Sequence, residues 1–250
     1  SYSNKKIKQL IKYGNIYVNN EIIKDYLFNL KIGDELYINN SHSDNFKIIY
    51  EDKNIIVVDK MAGILSVSDN SDEITIYNLV SEYVKKKNKN NKIFVIHRLD
   101  KDTSGVLMFA KSIDIKNMYQ NNWDKLVKER KYMALVTGNT KEKGIIKTYL
   151  RENKNHYVYV SNSGKLAITY YKKIKSKNDK TLLDINIMTG RKNQIRVHLN
   201  YIGNPIIGDT KYGNVKANRL YLHAYLLKII NPINNKEMVF KSEIPLEFNI

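Results

Sequence analysis

Apolar positions along this chain fall into runs of two kinds. Residues 55–58, 93–96 and 106–110 are continuously apolar, the pattern of strands buried within a sheet. Residues 167–174 and 182–187 alternate between apolar and polar, the period of half-covered strands, and are expected to pair with each other. Further strands are expected at 128–136, at 144–150 and 156–160 around a turn at Glu152-Asn153-Lys154-Asn155, and at 220–230 and 237–240. Helical spacing is rarer. Ile76, Leu79, Val80 and Tyr83 share one face over residues 75–84, residues 114–127 with Met118 and Trp123 read as a single helix, and a helix rich in donors starts at Arg191 after the Thr189-Gly190 turn. Hairpin-like strands dominate and a few helices cover them, so the expected fold class is α+β.

The first residues stand apart. Ile7, Leu10 and Ile11 fall at helix spacing, and Gly14 is placed to end that helix. Ile16 and Val18 alternate as a short strand, Asn19-Asn20 is a turn, and residues 30–38 read as a turn and a strand. Lys5, Lys6, Lys8 and Lys12 stud the helix. Residues 39–45, Asn-Asn-Ser-His-Ser-Asp-Asn, have the composition of a linker. The expected organisation is a small α/β unit at 1–44 and a larger unit at 45–250. Residues 85–92 are a basic polar loop.

Composition narrows the function. The 250 residues are 42% hydrophobic, an ordinary globular proportion, and no apolar run approaches the roughly 20 residues of a membrane span. There is no cysteine, which removes disulfides, thiolate nucleophiles and cysteine-ligated zinc and fits a cytoplasmic location. Lys+Arg outnumber Asp+Glu by 42 to 25, a net charge of +17 with a pI near 9.6. Such a surplus attracts polyanions, nucleic acid first among them, although lysine is also abundant where codons are rich in A and T. Six arginines stand among 36 lysines. Arginine offers a planar fork that lysine cannot imitate; Arg98 lies between two apolar runs, and Arg191 and Arg196 lie together in a second polar cluster.

The stretch from His97 to Gly105 is a polar knot between buried strands: His97-Arg98-Leu99-Asp100-Lys101-Asp102-Thr103-Ser104-Gly105. Unpaired charge there costs several kcal/mol. It reads either as an active-site loop held between rigid strands or as a hairpin turn facing water. An aspartic-protease reading fails because an extra residue breaks Asp-Thr-Gly and no second copy exists. Asp100 and Asp102 are too few for a two-metal site, and His97 lacks a partner at zinc spacing. No metal or other cofactor is called for.

The knot resembles the signature of the RluA family of RNA pseudouridine synthases. Residues 55–63, 129–136 and 189–199 match in the same order, as does Arg219-Leu220-Tyr221-Leu222-His223-Ala224, so the resemblance spans about residues 46–248. The related family with glycine before Arg-Leu-Asp fits less well. Met61 replaces the usual proline and Asn193 a frequent histidine. The resemblance implies a pseudouridine synthase fold with a central cleft and a cofactor-independent isomerisation in which uracil is detached, turned and rejoined through carbon. It assigns Asp100 to the glycosidic bond, Arg196 as the cation paired with Asp100, and Tyr132 to the uracil face. His97 and Arg98 would fill the space of an extruded base or contact the backbone. Thr103 and Ile195 are expected among the substrate contacts, and Lys60, Arg191, Lys192 and Gln194 as RNA or loop-anchoring contacts. The first unit, through residues 7–14, 18–20 and 31–34, resembles the alpha-L RNA-binding motif of a small-subunit ribosomal protein, whose usual earlier helix opening Arg-Leu-Asp is not among these residues. That resemblance favours ribosomal RNA, of the large subunit, over transfer RNA. A monomer is expected. Two other readings stay open: a noncatalytic RNA-binding or ribosome-assembly factor, and an aspartate-dependent nucleosidase that releases uracil.

Overall fold

The computed structural model describes residues 4–12, 14–38, 46–70 and 73–250. The expected linker at 39–45 lies outside the described residues, as do the side chains of Lys5, Lys6 and Lys12. Near the N-terminus, helix α1 (Asn4–Lys12) packs on a three-stranded antiparallel sheet of β1 (Ile16–Val18), β2 (Glu21–Ile22) and β3 (Leu36–Ile38), ordered β2-β1-β3. Leu10, Ile11 and Ile16 form its buried core. Gly14 has φ +68°, and the Gly14 and Asn15 N–H groups donate to the carbonyls of Ile11 and Leu10, closing the helix as the sequence predicts. Asn19 and Asn20 both have positive φ, the requirement of a tight two-residue hairpin turn.

The second sheet is much larger. Its strands are β4 (Lys47–Glu51), β5 (Ile55–Lys60), β6 (Phe94–Val95), β7 (Ser104–Ala110), β8 (Val127–Thr137), β9 (Lys143–Glu152), β10 (Val158–Ser161), β11 (Lys165–Lys177), β12 (Lys180–Ile187), β13 (Leu222–Ile230) and β14 (Glu237–Lys241). The order is β10-β9-β11-β12-β8-β13-β7-β5-β4, with β14 beside β13 and β6 beside β7. Among the described residues, the β7–β13 pair is parallel, through Ser104↔His223 and Gly105↔Ala224, and the other pairs are antiparallel. The α+β expectation holds.

The two kinds of apolar run become two kinds of layer. On one face of β5 and β7, Ile56, Val58, Leu107 and Phe109 pack under α2 (Ile76–Lys87). On the other, Ile55, Val57, Val106 and Met108 pack under α3 (Ile113–Asn121). Covered twice, these strands have no polar side. In β9, β11 and β12, alternate residues such as Ile146, Tyr171, Leu183 and Ile185 pack under α5 (Gln194–Tyr201). Residues between them face outward.

Helix α2 starts where its sequence directs. Thr75 accepts from the Asn78 N–H while the Asn78 side chain accepts from the Thr75 N–H, a reciprocal cap. It runs to Lys87, so the first three residues of the expected basic loop form its last turn, where lysines suit the helix dipole. Two expectations need correction. Residues 114–127 are two helices, α3 and the short α4 (Trp123–Leu126), separated at Asn122, whose side chain bonds back to the Met118 carbonyl; Val127 already belongs to β8. The run 93–96 gives only the two-residue β6, for a reason that lies in His97. No described helix is long and apolar enough to cross a membrane.

Candidate active site

The loop from His97 to Thr103 joins β6 to β7, and each end is fixed by a different device. At its start, the ladder would continue through the Met108 N–H. Instead the His97 ring Nε2 accepts that N–H at 3.1 Å, ending β6. Burial and the neighbouring Arg130 guanidinium push the imidazole down to about 3, so it is neutral. In the middle, the buried Ser66 hydroxyl donates to the Leu99 carbonyl (2.7 Å) and accepts from the Leu99 N–H (3.1 Å). Beneath it, Lys60 is fully buried. Its ammonium donates to the carbonyls of Met61, Ile64 and Lys101 at 2.8–2.9 Å, tying the loop after β5 to the loop carrying Asp100. Burial pushes Lys60 down to about 7, against the pull of Asp102 and Asp100.

At the far end, Ser104 lies 2.8 Å from His223 Nδ1 and accepts from the Arg219 guanidinium, which also pairs with Glu247. Gly105 has φ +113°, and a Cβ there would stand 2.1 Å from the Ala224 carbonyl oxygen. Only glycine permits β7 and β13 to meet at this point.

Asp100 thus reaches the floor of a cleft of about 1300 Å³ that opens between the two halves of the sheet. Its carboxyl has no ion pair or hydrogen bond among the described residues. Burial raises its pKa, opposed by the fields of Arg196 and Lys60. Tyr132, from β8, lines the same cleft and packs against both apolar clusters that meet there. Burial pushes its phenol up to about 12, leaving it neutral and a poor base near pH 7.

Arg196 also lines the cleft, but it does not pair directly with Asp100. Its fork closes on Asp209, Nε to Oδ2 at 2.8 Å and Nη2 to Oδ1 at 2.7 Å, and it lies 5.2 Å from the Tyr212 ring centre. Burial pushes the Arg196 pKa down, yet Asp209 outweighs that and holds it up. Burial likewise pushes Asp209 up, and Arg196 with the Tyr212 and Lys211 N–H groups brings it below its ordinary value. Arg196 therefore acts on Asp100 through its field, from a mount that Asp209 keeps rigid.

Other expected contacts separate by burial. Arg98 and Arg191 are exposed on the cleft, Arg191 steadied by its Nε donating to the Leu166 carbonyl. Lys192 is exposed beside them and pairs with Glu152. Of the two roles expected for Lys60 and Gln194, both take loop anchoring, and a substrate contact is corrected for these two and for Thr103 and Ile195. Lys60 anchors loops and is fully buried. Gln194 is buried, accepting from the Thr189 hydroxyl and Arg191 N–H while donating to Ile168 and Thr169, so it shapes the 189–191 turn. Thr103 and Ile195 border the cleft but are nearly sealed, at 3% and 5% exposure. His97 borders it too, with its ring committed to Met108 and set 5.6 Å from Trp123. Asn193, in left-handed conformation before α5, donates to the Tyr212 hydroxyl, which keeps the turn without a histidine.

Sequence reasoning missed Asp209 and Arg130. Asp209 is the only carboxylate between Arg191 and Lys236, a signal that the buried Arg196 had one local acid available. Arg130 lines the cleft, donating to the Met188 carbonyl and lying 5.5 Å from the Trp123 ring centre; its signal was its place among the six arginines and in the matched run 129–136.

The RNA pseudouridylate synthase family model matches residues 54–201, which carry the Asp100 loop, Tyr132 and Arg196. The chain belongs to that family. As an RNA pseudouridine synthase it is an isomerase with an RNA substrate. It is 34% identical to ribosomal large subunit pseudouridine synthase C of Rickettsia bellii, over 81% of this chain and 69% of the relative. It is 32% identical to the synthase C of Buchnera aphidicola subsp. Acyrthosiphon pisum, over 97% of this chain and 86% of that one. The solved structure of human RNA pseudouridylate synthase domain containing 4 shares the synthase fold, with a TM-score of 0.68 and 23% identity over 81% of this chain and 90% of that chain.

Proposed function

We propose that this synthase converts specific uridines of large-subunit ribosomal RNA to pseudouridine, with Asp100 as its catalytic carboxylate. The observation that carries the assignment is a half-buried, unpaired carboxyl in a cleft wide enough for a nucleotide, which a tyrosine ring and a guanidinium also line. The large-subunit target rests on the names of the relatives. Asp100 acts at the glycosidic bond, where an ionised carboxylate in a water-poor site can add to carbon or stabilise positive charge on the sugar. Arg196 is a positioning residue, favouring the ionised form of Asp100 through space. Tyr132 presents its ring to the loose uracil. A base inside folded RNA must be extruded, at a cost of a few kcal/mol; Arg98, Arg191 and Lys192 at the mouth supply phosphate contacts for that step. The domain at 45–250 carries the chemistry, and the lysine-rich unit at 1–44 adds RNA affinity.

The test is purified wild-type protein and Asp100→Asn on a large-subunit ribosomal RNA transcript. Pseudouridine is mapped by carbodiimide-blocked reverse transcription, and free uracil is followed by chromatography. Pseudouridine from wild type alone, with equal RNA binding by both, is the expected result. Turnover by Asp100→Asn would overturn the catalytic assignment. Free uracil in place of pseudouridine would make the protein a nucleosidase, and RNA binding without either product would make it a noncatalytic factor.

A further inference from the structure

Among the described residues, the strands β9, β10 and β11 are covered on one face only. Register places Tyr149 opposite Leu166, Ile145 opposite Tyr170, and Arg151 opposite Tyr159, all on the face away from α5. A half-covered antiparallel sheet ordinarily turns polar residues outward. Here Ile145 is 63% exposed, Tyr149 46%, Tyr170 39% and Tyr159 38%. Contiguous exposed apolar surface of this kind marks an interaction site.

Charge selects the partner. Lys143, Lys147 and Arg151 alternate with Ile145 and Tyr149 along β9, and Lys172 stands opposite Lys143 on β11. All four are exposed, and among the described residues none is paired with a carboxylate. The nearest acid on this face, Asp184 opposite Lys172, is half-buried and accepts from the Tyr225 hydroxyl. Tyrosine rings interleaved with unpaired cations suit a single-stranded polyanion, whose bases stack while its phosphates are neutralised. The face meets the cleft at one turn: β9 ends at Glu152, and Glu152 and His156, at the turn into β10, line the cleft mouth. A strand leaving the cleft over that turn arrives on Arg151 and Tyr159.

We propose that the open face of β9, β10 and β11 is a second RNA-docking surface, holding the unpaired strand that flanks the target uridine. This rests on the reading of the cleft as the site of uridine modification. The surface fixes which RNA is held, and the cleft acts on one nucleotide within it.

The experiment uses Tyr149→Ser/Tyr170→Ser, the control Tyr149→Phe/Tyr170→Phe, and Lys147→Glu/Lys172→Glu. Two RNAs serve as probes, a full large-subunit ribosomal RNA transcript and a short hairpin around a uridine that wild type modifies. Filter binding gives Kd, and turnover gives kcat and KM. The serine and glutamate pairs are expected to raise Kd and KM for the long transcript about 10-fold or more, with kcat unchanged and the hairpin unaffected. The phenylalanine pair is expected to bind as wild type does, and ultraviolet crosslinks to the transcript are expected in the β9 and β11 peptides. Unchanged Kd for the transcript, or equal loss on both RNAs, would overturn the proposal. If wild type yields no pseudouridine in any RNA, the reading of the cleft fails, while the transcript's Kd still decides for or against the face.

Discussion

Asp209, behind the wall of the cleft, and Asp100, on its floor, both lie in the field of Arg196, and their surroundings pull them apart. Asp209 receives two guanidinium bonds and two backbone N–H groups, and its pKa falls. Asp100 receives no direct bond and its pKa rises. The ion pair serves as structure and the orphan carboxyl serves as chemistry. A carboxylate saturated with donors is a weak nucleophile, whereas one held desolvated gains by meeting a developing cation.

The largest effect expected from breaking this contrast is on turnover. Asp100→Asn should lower kcat by at least about 10⁴-fold, the scale seen when a reacting group is removed. It should also stabilise the fold. A carboxyl whose folded pKa is raised binds its proton more tightly folded than unfolded, so stability falls as pH rises through the window above the ordinary aspartate value and stays lower at pH 7. Asp100→Asn escapes that loss, and a thermal melt at pH 7 checks it. For the same reason, the acid limb of kcat/KM should lie above the ordinary aspartate pKa, and Arg196→Met should move it higher.

Asp209→Ala is the reverse experiment. It strands a buried guanidinium, at about 3–5 kcal/mol, or a fall in Tm of roughly 6–20 °C for a chain of this size. What activity survives at low temperature should show a raised acid limb, because Arg196 loses its mount. Tyr132→Ala should raise KM about 10-fold through lost stacking, while Tyr132→Phe keeps KM. Arg191→Ala is the mildest change: the slope of log Kd against log salt should drop by about 0.7 for one lost single-strand phosphate contact.

How much of this was legible in the sequence follows the range of the interactions involved. Residues 55–58 and 106–110 announced buried strands because both sides of each are covered. Ile76, Leu79, Val80 and Tyr83 announced α2 because helical periodicity is local. The 93–96 run misled because its termination depends on His97 reaching across to Met108, a contact outside the local pattern. Residues 114–127 hid their break because Asn122 is an ordinary helix residue until its side chain turns back to Met118. At the site, Asp100, Tyr132 and Arg196 were named and do share one cleft, but the partner of Arg196 was misjudged: spacing says which acids exist and cannot say which one a fork will face. Lys60 and Gln194 read as RNA or loop-anchoring contacts, and only their carbonyl and hydroxyl partners decide for the internal brace.

The meeting of Gly105 with Ala224 has a consequence for how the chain matures. The neighbouring Ser104 and His223 are 119 positions apart, so everything from α3 to α5 is looped out from this one seam. Distant pairings of this kind are slow to form. A nascent chain halted before Leu222 would already contain Asp100, Tyr132 and Arg196, yet would lack the strand against which the reactive loop is seated. Catalytic competence therefore arrives late in synthesis, when the segment from Leu222 onward docks.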